Sequence, residues 1–193
     1  MQTLGLSDST PRSESRLKSL FWPTIRNDVD LETVTTQGFW ICTLLAALTL
    51  GLSVFTGQPW AGVFEAAFFF LGGLGVRQRS RVAAVSVLGA YLLSALLVQR
   101  SGGQGFSVVR IIFLALLLAN VRGIWLSYRW ERSATEPPPV RLAQTLADKL
   151  SDQLPVFLWP KIRILFYVLA ALELLAGLVV LLAPAGLPDA GTM

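Results

Sequence analysis

The chain has no histidine among its 193 residues, one cysteine (Cys42) and three lysines. Without histidine there is no serine–histidine dyad, no histidine-ligated haem and no HExxH zinc site. One cysteine forms neither an internal disulfide nor a thiol–disulfide exchange pair, so redox chemistry does not reveal the compartment. The carboxylates nowhere cluster at metal-ligand spacing. Catalysis would have to rest on Glu65, Glu173, arginine and tyrosine alone. The chain therefore reads as non-enzymatic, with no catalytic residue, no cofactor site and no metal site expected.

Charge is scarce as well. Asp, Glu, Lys and Arg make up 15% of the chain, against ~25% in a typical soluble domain. Apolar residues of the AVILMFWYC class make up 53%, and the mean hydropathy is +0.59. This is the balance of a polytopic membrane protein. A net charge of +4 would suit a nucleic-acid binder. However, the basic residues sit between long apolar runs, where membrane topology accounts for them, and no nucleic-acid partner is expected. The first 20 residues are polar and lack the apolar stretch of a cleavable signal peptide, so the first span is expected to be an uncleaved anchor.

Five apolar runs stand out: 39–55, 60–76, 82–98, 106–126 and 164–183. Each has roughly the 17–25 residues a spanning helix needs, and none alternates as a β-barrel strand would. The predicted fold is an all-α polytopic membrane bundle of five transmembrane helices plus a cytoplasmic amphipathic helix. Lys and Arg number 4, 0, 3, 1, 6 and 0 in the successive segments outside the runs. Short cytoplasmic loops carry the positive excess. A division of 13 against 1 predicts a cytoplasmic N-terminus and an external C-terminus, as in a multi-pass protein of the bacterial inner membrane. All three lysines then face the cytoplasm, which excludes an outer-face Ser–Lys protease.

The expected organisation is a cytoplasmic segment with an interfacial anchor (1–38), four spans as hairpins (39–126), a cytoplasmic linker (127–163), the fifth span (164–183) and a short outer tail (184–193). Within the linker, "EPPP" (136–139) should be stiff and extended. Leu142, Leu146 and Leu150 then form one stripe of an amphipathic helix over 140–154, suited to the headgroup layer.

Trp-Pro-x-Ile-Arg occurs twice, as Trp22 to Arg26 and as Trp159 to Arg163. Tryptophan favours the headgroup level, proline suits the first turn of a helix, and the arginine behind it can reach phosphates. Trp22, Arg26, Trp159 and Arg163 are thus expected to be interfacial anchors in contact with the lipid bilayer.

Charges at bilayer depth are the functional suspects. Glu65 and Arg110 lie at similar depths near one end of the second and fourth spans. They are expected to pair if those helices touch, as a structural ion pair or, alternatively, a charged gate. Glu173 is midway along the fifth span and is expected to be held by Asn120 or Arg122, locking two helices; a proton relay is the functional alternative. Thr43, Ala47 and Gly51, and likewise Ser86, Ala90 and Ser94, form small-residue seams for close packing. Gly72, Gly73 and Gly75 lack the strand, lysine and spacing of a phosphate loop and read as a packing feature. The function expected is a non-enzymatic subunit, scaffold or assembly factor, partnered by another membrane protein or by itself. The alternative is a small-solute or ion transporter or channel using Glu65, Arg110 and Glu173.

Overall fold

The computed structural model describes residues 21–22, 28–57, 59–103, 105–131 and 149–183. Helix α1 spans Asp28–Phe55, α2 Pro59–Arg77, α3 Arg81–Arg100, α4 Val108–Glu131 and α5 Leu154–Leu182. A π-helical turn, Lys149–Gln153, leads directly into α5. The described residues contain no strand. All five helices are long and apolar enough to cross a membrane, and the fold is the expected all-α bundle.

The chain reverses where its residues cannot continue a helix. Gly57 takes a φ of 72° after α1, and Pro59 opens α2, where its missing N–H is no loss. After α2, Arg79 adopts a left-handed φ of 58°, and Ser80 caps α3 by accepting from the Ala83 N–H at 3.3 Å. Ser80 and Arg79 belong to the "RQRSR" turn, so the end of the bundle bearing Arg77 and Arg81 is called the arginine-rich end; the other is the far end.

Two helices begin earlier than their apolar runs suggest. The first turns of α1 bury Leu31, Val34 and Thr35 on one face, and α5 starts ten residues before Ile164. The second Trp-Pro-x-Ile-Arg therefore lies inside α5. Pro155, not Pro160, occupies the first turn, and Pro160 sits within the helix. Of the amphipathic helix expected over 140–154, residues 140–148 lie outside the described residues, and Lys149–Gln153 forms the π-turn.

Helices α1 to α4 form a ring in which α1 packs on α2 and α4, and α3 packs on α2 and α4. Helix α5 lies in the outer groove between α2 and α3. At the arginine-rich half, α2 meets its three neighbours where it lacks side chains. A Cβ on Gly73 would lie 2.8 Å from Cys42 on α1. A Cβ would come closer still at Gly72, against Val87, and at Gly75, against Trp159 and Ala83. The seam expected on α1 is different: Ala47 is exposed, and nothing lies within 4 Å of a Cβ on Gly51. On α3, Ser86 and Ala90 are buried as expected.

Rings bridge the helices outward of the glycines. Phe68 stacks on Phe166 at 5.5 Å, Phe69 meets Tyr91 at 6.2 Å, and Tyr91 meets Phe113 at 6.2 Å. Toward the far end α5 leans on α3. Leu174 lies against Gly89, Leu93 against Gly177, and the Arg100 guanidinium donates to the carbonyls of Val180 (2.7 Å), Leu181 and Ala183. These are the carbonyls a helix end leaves unpaired, so Arg100, the last residue of α3, serves as the cap of α5.

The glycine contacts give a paired prediction. Gly75→Ala should destabilise the protein by about 1–3 kcal/mol through overpacking. Gly51→Ala should be neutral or stabilise by about 0.5–1 kcal/mol. Thermal unfolding of both variants in detergent measures the contrast.

Candidate functional site

Two polar centres are built into the bundle. At the arginine-rich end, Arg77 is the last residue of α2 and its side chain is 11% exposed. Its Nη1 donates to Thr35 Oγ1 at 2.8 Å and its Nη2 to Glu32 Oε1 at 3.2 Å. Nη2 also donates to Asp152 Oδ1 at 2.6 Å, and Nε to the Ser151 carbonyl at 3.0 Å. The Thr35 hydroxyl in turn donates to the Glu32 carbonyl at 3.1 Å. One guanidinium thus ties α2 to α1 and to the π-turn before α5, and its fork geometry is what lets it serve four acceptors on two other segments. The spacing of three arginines in a loop pointed only to topology. The signal missed was the pair of acids, Glu32 and Asp152, lying at the same end. An open cavity of about 340 Å³ lined by Glu32, Arg77, Gln78, Arg79, Asp152 and Val156 adjoins this centre.

The second centre lies toward the far end. Glu65 on α2 is half-buried, six residues after Pro59, so ~9 Å along the axis. It lies within electrostatic reach of Arg110 on α4 and of Glu173 on α5. Tyr91 on α3 also lies within reach of Arg110. The structure therefore gathers Glu65, Arg110 and Glu173 about one region. It does not join Glu65 and Arg110 as an ion pair, since α2 and α4 are not packed neighbours. The Arg110 Nη1 is buried with no hydrogen-bond partner.

Glu173 departs furthest from expectation. Helices α4 and α5 share no packed interface, because α5 packs on α2 and α3. Asn120 and Arg122 therefore do not hold it. Asn120 is 2% exposed and its Nδ2 donates to the Leu116 carbonyl at 3.0 Å. Its Oδ1 has no partner and abuts Gly38, where a Cβ would lie 2.5 Å away. The space beside it admits no water molecule. The Arg122 guanidinium lies over the Trp22 ring at 4.2 Å, a cation–π contact.

The four expected anchors divide. Trp22 is 54% exposed and Arg163 is exposed. Trp159 is 8% exposed and packs on Gly75 and on Phe166 at 5.5 Å. It is a core residue because α2 offers no side chain where the indole enters. Arg26 lies outside the described residues.

Among the described residues, no three His, Cys, Asp or Glu side chains come together to hold a metal ion. The chemistry available is ionic and hydrogen-bonding recognition: a tied guanidinium at one end, and two carboxylates with one guanidinium toward the other. No protein-family model, no curated protein and no solved structure matches this chain.

Arg77→Gln removes the guanidinium that Glu32 and Asp152 share and should cost about 2–4 kcal/mol. Arg77→Lys should recover only part, since one ammonium cannot reach all four acceptors. Thermal stability of the two variants decides this. Asn120→Leu removes an unsatisfied buried carbonyl while keeping the branching of the side chain, and should cost no more than about 1–3 kcal/mol, that of overpacking against Gly38. A larger loss in the same assay would mean that Asn120 holds a partner the packing does not reveal.

Proposed function

We propose that this chain is a non-enzymatic subunit or assembly factor of a membrane complex, and that α5 is the helix it offers to the partner. The observation that carries the reading is the state of α5. It is the most apolar and the least covered of the five helices. Leu165, Val168, Leu172, Leu175 and Val179 are exposed along one stripe of it, and Glu173 is exposed beside that stripe, toward α2. An ionised carboxylate on a lipid-facing helix costs about 2.5–3.5 kcal/mol, which a partner supplying a donor would offset. Affinity purification of the tagged protein from its native membrane in mild detergent tests the reading. A stoichiometric partner is expected; the protein alone would contradict it.

The grouping of Glu65, Arg110 and Glu173 motivates a second reading, a small-solute or ion transporter. Against it, the Phe68–Phe166 stack closes the contact between α2 and α5 on the side of that group toward the arginine-rich end. Reconstituted transport lost in both Glu65→Gln and Glu173→Gln would favour it.

The orientation proposed follows the positive excess: arginine-rich end in the cytoplasm, far end outside. In intact cells of a bacterial host, Thr56→Cys should react with a membrane-impermeant maleimide. Gln78→Cys should react only after the membrane is opened. The reverse pattern would invert the orientation.

A further inference from the structure

Trp159, Phe166 and Glu173 are seven residues apart and fall on nearly one line of α5. The first two are buried, at 8% and 0% exposure, whereas the third is exposed. The line that faces α2 at the arginine-rich half has thus lost its cover at Glu173. The reason is visible in the contacts of α5. Trp159 and Phe166 rest on Gly75, Gly72 and Phe68 of α2. Beyond them, Leu174, Gly177 and the terminal carbonyls rest on Gly89, Leu93 and Arg100 of α3. Helix α5 therefore parts from α2 toward the far end, and a seam opens between them. Glu65 stands on the α2 side of that seam, on the same line as Phe69 and Gly72. Glu173 stands on the α5 side, and the two carboxylates feel each other.

From this geometry we infer that the seam between α2 and α5 receives a transmembrane helix of another protein that carries a lysine or arginine at the depth of Glu173. This rests on the subunit reading above. The charge count selects the occupant. Glu65, Glu173 and Arg110 bring two formal negative charges and one positive to this region, so the group carries an excess of one negative charge. On the α5 side the charge is that of Glu173, nine residues before Leu182, so ~13 Å from the helix end. A second copy docked on the same face would bring another carboxylate to this point. A lipid chain would cover Leu172 and Val179 but give Glu173 no donor. A partner helix with apolar flanks and one cation matches both the uncovered aliphatic face and the charge.

The test uses the full chain in lipid bilayers, labelled through Ala176→Cys, an exposed position one turn beyond Glu173. Cys42 is fully buried and stays silent. The probe is a labelled Leu/Ala transmembrane peptide with a single lysine ~13 Å from one end, and its control carries leucine there. Energy transfer should report association about tenfold tighter for the lysine peptide than for the control. Glu173→Gln should abolish that preference, and Glu173→Lys should transfer it to a peptide carrying glutamate. Equal binding of both peptides, or a preference that survives Glu173→Gln, would overturn the inference. The two readings fail separately. A native partner retained equally by wild type and Glu173→Gln leaves the subunit reading standing and rejects the cationic seam. Absence of any native partner rejects the subunit reading, and the peptide measurement still decides what the seam takes.

Discussion

Helix α2 gives up its side chains at Gly72, Gly73 and Gly75, and the rest of the bundle is arranged around that loss. Three helices press onto one surface there: α1 through Cys42, α3 through Val87 and Ala83, and α5 through Phe166 and Trp159. A surface so narrow in sequence can seat three neighbours only if none meets a Cβ. Two residues further on, Arg77 closes the same end with hydrogen bonds to α1 and to the turn before α5. Close packing and a charged clasp thus coincide within a few residues at the arginine-rich end.

The far half follows from what α2 carries next. Outward of the glycines come Phe68 and Phe69, then Glu65, so the helix thickens as it leaves the tight region. Helix α5 turns to α3, where Gly89 and Gly177 again permit close approach. Arg100 then holds the last carbonyls of α5 to the end of α3. That cap fixes the far end of α5 away from α2, which leaves the seam and its two carboxylates as consequences of the packing. In a bilayer, an uncovered carboxylate at this depth must be neutralised or met by a donor. Recognition of a cation by such a group gives selectivity as well as attraction, because a partner lacking the cation leaves the charge unpaired.

The five spans were legible in the sequence because an apolar run of spanning length leaves few alternatives. Their starts were less legible. The first turns of α1 and α5 are polar on one face and read as loop or interface, yet they bury Leu31, Thr35, Pro155 and Trp159 on the other. The fate of Trp159 depends on Gly75, 84 positions away, and no local pattern connects them. Proximity in the chain also misled: the spans that follow one another before and after the long linker are not neighbours, so Glu173 comes within electrostatic reach of Glu65 rather than against Asn120 or Arg122. Glu65, Arg110 and Glu173 were individually conspicuous as charges in apolar runs. That they share one region depends on the order of helices around the ring, which composition does not encode. Arg77 was hidden by its company, since its two neighbouring arginines made topology a sufficient account of all three.

Thiol reactivity tests the opening of the seam directly, because a buried thiol is inert and an accessible one is not. Glu173→Cys and Ala170→Cys, one turn apart on α5, would be exposed to a maleimide in the purified, folded chain. Rapid modification is expected at 173 and protection at 170, where the native alanine is 4% exposed. Equal protection at both positions would mean that α5 stays against α2 along its length, and the open seam would be contradicted.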